Sequence, residues 1–182
     1  MEHRLAAVLA ADMVGYSRLM EADERGTLER LRTHRIELID PSIAKNQGRI
    51  IKTTGDGMLV EFQSVADAVR CAVEVQERMR RRNADVPEDR RIQFRVGINL
   101  GDIIFDDGDI YGDGVNVAAR LEQLAETGGI CVTQAVYDQV NDRVGVAFEN
   151  LGLKSFKNMS RQLQVWRVVL DSRAPADGAG RA

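Results

Sequence analysis

The sequence has few of the features that would place it in a specialised class of proteins. Only two cysteines occur among 182 residues, too few for a disulfide scaffold, and they favour a reduced, cytoplasmic setting. No apolar run approaches the roughly 20 residues of a membrane-spanning helix, so no membrane span is predicted. The net charge of −3 gives no support for a nucleic-acid partner, and a hydrophobic content of 44% excludes a disordered chain.

Apolar residues along the chain follow the periods of strands and helices and predict one α+β domain. The first apolar run, residues 5–11, resembles part of a signal peptide, but it ends after seven residues at Asp12, which favours a buried strand. Further strands are predicted at residues 49–54, 58–62, 92–100, 130–132, 146–148 and 163–170. Helices are predicted at residues 24–45, with a bend near Pro41, and at 65–82, 112–126 and 135–140.

This order of elements predicts a ferredoxin-like or palm-like βαββαβ core with additional strands and helices. We expect a mixed sheet with helices packed on one face. Residues 1–170 are predicted to form the domain. Residues 171–182 are dominated by Ala, Pro, Gly and Asp, a composition typical of a flexible tail or the start of a linker.

Two aspartates stand where predicted strands end. Taken singly, Asp12 is an ordinary helix cap and Asp56 an ordinary residue of a hairpin turn. In a βαββαβ sheet, however, the first strand and this hairpin are neighbours, so the two carboxylates could jointly hold two divalent cations about 4 Å apart. The backbone N–H groups of Gly15, Tyr16 and Ser17, at a predicted helix start, would then provide a seat for phosphate oxygens.

A second cluster lies on the helix predicted at residues 112–126. Asn116 and Arg120 are four residues apart and therefore lie on one face of this helix. A guanidinium can stabilise charge on a transferring phosphoryl group, and an amide can orient a ribose. The alternative is a solvent-exposed Asn116 and an Arg120 that pairs with Glu122 or Glu126.

Four ordered motifs resemble the catalytic domain of the class III nucleotidyl cyclases, the adenylate and guanylate cyclases. They lie at residues 11–17, 52–57, 94–102 and 109–120, and the resemblance extends over roughly residues 4–169. It is strongest to the bacterial members of the family. The resemblance implies the class III cyclase fold.

The resemblance also implies roles for the acidic motifs and for one lysine. Asp12 and Asp56 match the family's metal-binding aspartates, with the backbone carbonyl of Met13 as a third ligand, for two divalent cations, Mg²⁺ or Mn²⁺. Lys52 and Asp109 fall where adenylate cyclases place the pair that reads the adenine base. That pairing is chemically sound, because adenine N1 accepts a hydrogen bond from an ammonium and the N6 amino group donates one to a carboxylate.

The remaining motif residues are implied to contact ribose and phosphate. Asn116 matches the ribose-orienting residue and Arg120 the residue that stabilises the transition state. Lys157 matches a lysine near the triphosphate, although its neighbours Phe156 and Asn158 depart from the usual Lys-Gly-Lys pattern.

The function implied is that of an adenylate cyclase, a phosphorus–oxygen lyase that converts ATP to 3′,5′-cyclic AMP and pyrophosphate. The family builds each site between two catalytic domains, with the aspartates from one protomer and the base-, ribose- and phosphate-contacting residues from the other. Because this chain carries both sets, a head-to-tail homodimer with two shared sites is expected. The alternatives are a cyclase for GTP or a pyrimidine nucleotide, and a non-catalytic nucleotide-binding or dimerisation module of the same fold.

Overall fold

The computed structural model describes residues 1–170, which are built around an eight-stranded sheet. The strands are β1 (Glu2–Met13), β2 (Gly48–Thr53), β3 (Gly57–Phe62), β4 (Phe94–Asp106), β5 (Asp109–Tyr111), β6 (Ile130–Thr133), β7 (Ala147–Lys154) and β8 (Leu163–Val169). The helices are α1 (Tyr16–Ala22), α2 (Glu24–His34), α3 (Asp40–Lys45), α4 (Val65–Asn83), α5 (Asp113–Leu124) and α6 (Gln134–Val140). Within residues 1–170, no helix is both long and apolar enough to cross a bilayer. The predicted tail, residues 171–182, lies outside the described residues.

The strand order contains the predicted core. Neighbouring strands follow the order β2-β3-β1-β4-β6-β8-β7, and β5 pairs with the end of β4. β4 and β6 are parallel, and the other neighbouring pairs are antiparallel. The part β2-β3-β1-β4, with helices between β1 and β2 and between β3 and β4, is a βαββαβ unit. The predicted α+β class is confirmed, with β6, β7 and β8 among its additional strands.

Helices cover both faces of this sheet. Ala7 and Leu9 of β1 lie in a core shared with α4, whereas Ala6 and Val8 belong to a second core that includes Ala118 of α5. The expectation that the helices pack on one face is therefore wrong for α5. The continuous apolar run of β1 reflects this arrangement, because a strand buried on both faces has no polar side to alternate with.

The packing of α5 on β4 depends on a glycine. A Cβ atom on Gly97 would lie 2.4 Å from the backbone nitrogen of Glu122 and 2.5 Å from the carbonyl oxygen of Ala118. No side chain fits in that space, so the helix backbone rests directly on the strand. Leu121, which is fully buried, lies beside the same contact.

The long helix predicted at residues 24–45 is divided. α2 ends at His34, a π-helical turn covers Arg35–Ile39, and α3 begins with Pro41 in its first turn. Proline has no backbone N–H to donate to the preceding turn, so a regular α-helix does not continue through this position. The predicted bend thus corresponds to a π-helical turn directly before α3.

Candidate active site

The two predicted metal-binding aspartates lie side by side in the structure. Asp12, near the end of β1, is paired in the sheet with Gly57 of β3 on one side and Arg95 of β4 on the other. Asp56 is at the tip of the β2–β3 hairpin, and its carbonyl oxygen accepts a hydrogen bond of 2.7 Å from the backbone N–H of Met13. The end of β1 and the hairpin tip are therefore in direct contact, as the topology predicts.

The predicted phosphate seat begins a helix next to this hairpin. Gly15 has a left-handed backbone conformation, with φ of 66°, and it precedes the first residue of α1, Tyr16. A Cβ atom on Gly55 would lie 2.9 Å from the Tyr16 hydroxyl, so the tyrosine ring packs against the hairpin. Gly15 and Ser17 are exposed at the start of α1.

Arg95 is a component of the site that the sequence motifs did not single out. Its Nε donates to Asp12 Oδ1 at 3.2 Å and its Nη2 to Asp12 Oδ2 at 2.9 Å, a two-point ion pair. Its third contact is a hydrogen bond of 3.3 Å from Nη1 to the carbonyl oxygen of Gln123 on α5. Strand alternation puts Arg95 on the face covered by α5, but only the register of β1 with β4 brings it to Asp12, and register is not readable from the sequence.

Glu122 completes this charged cluster. It is 8% exposed, and its Oε2 lies 3.6 Å from Arg95 Nη2. The pKa of Glu122 is raised to about 8, mainly by burial and then by the nearby Asp12 carboxylate, while the Arg95 guanidinium opposes the shift. The sequence suggested Glu122 only as a partner of Arg120, and the structure places it against Arg95 instead.

The predicted base-reading residues meet across a large sequence separation. Lys52 Nζ lies 3.2 Å from Asp109 Oδ2, although the two residues are 57 positions apart. Their neighbours Ile51 and Ile110 pack on the same apolar cluster, so the polar pair is held at its edge. The hydrogen bond from the Ile110 backbone N–H, and then the Lys52 ammonium, hold the pKa of Asp109 below its usual range.

The helix α5 carries the predicted ribose and transition-state residues. Asn116 is exposed and Arg120 half-buried, beside the apolar face that packs on β4. Buried Asn99 ties the first turn of α5 to the sheet, because its Nδ2 donates to the Gly114 carbonyl at 3.1 Å and its Oδ1 accepts from Thr133 at 2.9 Å. The start of the helix is therefore fixed close to Asn116.

These residues form separate groups within one chain. Among residues 1–170, no hydrogen bond or ion pair joins the two aspartates to the residues predicted to contact base, ribose or phosphate, which are Lys52, Asp109, Asn116, Arg120 and Lys157. Lys157 is exposed in the loop between β7 and β8. In the described part of the chain, no group of three or more His, Cys, Asp or Glu side chains is arranged to hold a metal ion.

Comparisons with known proteins agree with this fold. A crystal structure of an adenylate/guanylate cyclase/hydrolase from Silicibacter pomeroyi is 54% identical, with a TM-score of 0.85 over 94% of this chain and 99% of that one. A Rhizobium meliloti protein provisionally named adenylate cyclase 3 is 48% identical over 94% of this chain, and an adenylate cyclase from Streptomyces coelicolor is 33% identical over 77%. The chain spans 29% and 35% of the lengths of these two relatives.

The family profile described as the adenylate and guanylate cyclase catalytic domain matches residues 2–168, which is almost all of the described structure. All four motifs of the sequence lie within that range. The chain therefore belongs to the family of adenylate and guanylate cyclase catalytic domains.

Proposed function

We propose that this domain is an adenylate cyclase that converts ATP to 3′,5′-cyclic AMP and pyrophosphate, with two divalent cations, at sites shared between two copies of the chain. The observation that carries the proposal is the contact between Lys52 and Asp109, 3.2 Å between Nζ and Oδ2. The family includes both adenylate and guanylate cyclases, and this pair is what favours adenine.

The pair presents one donor and one acceptor in a fixed relation. The Lys52 ammonium can donate to adenine N1, and the Asp109 carboxylate can accept from the N6 amino group. Guanine has a donor at N1 and an acceptor at C6. Its donor would face the Lys52 ammonium and its acceptor would face the Asp109 carboxylate, so neither hydrogen bond could form. The lowered pKa of Asp109 keeps its carboxylate in the accepting form at neutral pH.

The residues at the end of β1 and at the tip of the β2–β3 hairpin fit a divalent cation. Asp12 and Asp56 provide hard carboxylate oxygens, which suit Mg²⁺ or Mn²⁺, and such ions are commonly held by one or two carboxylates together with substrate phosphates. Asp12 already holds a positive group, the Arg95 guanidinium, at both of its oxygens. We propose Asp12, Asp56 and the Met13 carbonyl as the ligands from the protein. When bound, the cations supply activation of the ribose 3′-hydroxyl and neutralisation of the triphosphate.

The protein side chains position the nucleotide and stabilise charge. The Asn116 amide orients the ribose so that the 3′-hydroxyl faces the α-phosphate, and the Arg120 guanidinium neutralises the charge that develops as pyrophosphate leaves. Backbone N–H groups at residues 15–17 and the Lys157 ammonium are proposed to hold phosphate oxygens. Proton transfer by a histidine is not needed in this scheme.

The assembly proposed is a head-to-tail homodimer. The separation of the aspartates from Asn116, Arg120 and the Lys52–Asp109 pair within one chain supports a site completed by a second copy. In a dimer with twofold symmetry, each contact between the two copies occurs twice, so two equivalent sites form.

The test is product analysis with each of the four nucleoside triphosphates, in Mg²⁺ and in Mn²⁺, over a range of protein concentrations. We expect cyclic AMP and pyrophosphate from ATP in preference to the other nucleotides. Specific activity should fall on dilution, because a shared site is lost when the dimer dissociates. A preference for GTP or a pyrimidine nucleotide would reject the adenine assignment, and binding without turnover would identify a non-catalytic module.

A further inference from the structure

Glu122 is a buried carboxylate that none of the roles proposed above uses. It is 8% exposed, and its Oε2 has no hydrogen-bond partner among residues 1–170. A buried polar atom without a partner costs free energy, and proteins retain few of them. The burial of Glu122 therefore needs an interaction that compensates for this cost.

The unpartnered oxygen faces Arg95. Oε2 lies 3.6 Å from Arg95 Nη2, and the same nitrogen lies 2.9 Å from Asp12 Oδ2. One guanidinium thus stands between two carboxylates on different elements, Asp12 on β1 and Glu122 on α5. The Arg95 guanidinium donates hydrogen bonds to Asp12, whereas Glu122 lies slightly beyond hydrogen-bond distance.

Of these groups, Arg95 is the one free to move. The backbone of Glu122 is fixed on Gly97, and its neighbour Leu121 is fully buried, so α5 has no room to shift toward the sheet. The Arg95 side chain is long, flexible and 29% exposed. Its Nη1 already bonds to the Gln123 carbonyl, so one contact with α5 is in place.

A divalent cation at Asp12 would compete with Arg95. The guanidinium uses both carboxylate oxygens, and two positive groups on one carboxylate repel each other. Binding of the cation at these oxygens therefore favours departure of Arg95 from Asp12. A partly buried guanidinium left without any anionic partner would make that exchange costly.

We propose that Glu122 is a positioning residue that receives the Arg95 guanidinium when a divalent cation takes the Asp12 carboxylate. The proposal rests on the metal-binding role of Asp12 in the proposed function. With the Glu122 carboxylate and the Gln123 carbonyl, α5 offers Arg95 a second, ready-made set of acceptors. The guanidinium then moves from β1 to α5 with its charge paired, and it stays at the site.

The test is Mn²⁺ binding to the full chain without nucleotide, measured from the free Mn²⁺ signal in electron paramagnetic resonance. Four proteins form a double-mutant cycle: the unmodified chain, Glu122→Gln, Arg95→Met and the double variant. Glu122→Gln is expected to weaken Mn²⁺ binding by about tenfold, because the displaced guanidinium loses its partner. In the Arg95→Met background the same change should alter the dissociation constant by less than about twofold, because there is no guanidinium to receive.

Two further variants separate this proposal from the proposed function. Glu126→Gln makes the same substitution in a side chain that is 75% exposed just beyond α5, and it should leave Mn²⁺ binding unchanged. Asp12→Ala should abolish binding, and if it does not, the proposed metal site itself is rejected. If Asp12→Ala abolishes binding but Glu122→Gln has no effect, or the same effect with and without Arg95, the positioning role is overturned. Melting curves of each variant show that the fold is retained, and Arg95→Gln replaces Arg95→Met if the latter does not fold.

Discussion

Single side chains at the edge of the sheet set the proposed choice of nucleotide. Lys52 is one of four lysines in a chain with 21 arginines, and it lies where a compact ammonium suits a single ring nitrogen better than a planar guanidinium. Its contact with Asp109 leaves both groups partly accessible, with exposed side-chain fractions of 49% and 28%. The pair is therefore pre-positioned and still open to a ligand.

Reversing the charge at Lys52 tests this chemistry. Lys52→Glu would place an acceptor against adenine N1 and a second carboxylate beside Asp109, so we expect kcat/KM for ATP to fall by about 100-fold. Lys45→Glu is the matched control, because Lys45 is also an exposed lysine, paired with Glu74 at 3.4 Å, an ion pair of little energetic weight. The measurement is the rate of cyclic AMP formation, with melting curves for both variants. Equal losses in the two variants would show that Lys52 does not read the base.

At the scale of elements, α5 links the core to the site. Its inner face includes Val117, Ala118 and Leu121, all buried, and its outer side carries Asn116 and Arg120. Any change in how this helix packs on β4 therefore changes both stability and the place of the predicted catalytic groups. The effect on stability can be tested by comparing a buried and an exposed position of this helix.

Two leucines of α5 give that comparison. Leu121→Ala removes a side chain that is fully buried and should destabilise the fold by about 3 kcal/mol, through lost burial and the cavity that remains. Leu124→Ala, at a position 38% exposed, should cost about 1 kcal/mol or less. Urea denaturation of both variants provides the measurement. Similar losses would mean that α5 is not packed on the sheet as described.

The contact between α2 and α4 gives a pH dependence. Nδ1 of His34, at the end of α2, lies 3.1 Å from Nη1 of Arg82 on α4. Burial, and secondly the charge of this guanidinium, lower the pKa of His34 from its usual value of 6.5. The unfolded chain then binds more protons than the folded one, so stability falls as the pH drops through about 6.5. His34→Gln should reduce the loss of unfolding free energy between pH 7 and pH 5, as measured by urea denaturation at each pH. His3→Gln, at an exposed position of β1, should keep the slope of the unmodified chain, and an unchanged slope in His34→Gln would contradict the prediction.

Local patterns in the sequence predict most of the helices and strands. The remaining features depend on contacts between residues that are far apart in the sequence. The apolar run before Asp12 and the Gly55–Gly57 turn each act within a few residues, so β1 and the β2–β3 hairpin were predictable. The three-residue strand β5 is too short to show a period, and it forms because Ile110 is buried on the sheet. The place of Glu122 beside Arg95 depends on the packing of α5 against Gly97, which no local pattern encodes.

At the scale of the whole molecule, one chain holds the parts of the proposed site without joining them. Asp12 at the end of β1 and Asp56 at the β2–β3 turn form no hydrogen bond or ion pair with Lys52, Asp109, Asn116 or Arg120 in residues 1–170. Each copy in a head-to-tail dimer would then give its aspartates to one site and its base- and ribose-contacting groups to the other. A substitution of an aspartate would therefore leave the base- and ribose-contacting groups of the same copy intact, and the reverse holds for a substitution among those groups.

Mixing two inactive variants therefore gives a quantitative test of the assembly. Asp12→Ala and Arg120→Ala should each be nearly inactive, because every site of each homodimer lacks one essential group. When equal amounts exchange at random, half of the dimers are mixed, and each mixed dimer has one intact site of two. We thus expect about one quarter of the activity of the same total amount of unmodified protein.

A mixture of Asp12→Ala with Asp56→Ala is the control. Both changes fall in the same half-site, so every site in their mixed dimers lacks an aspartate and no activity returns. Recovery in both mixtures, or in neither after exchange has been verified by labelled subunits, would reject a site shared between two copies.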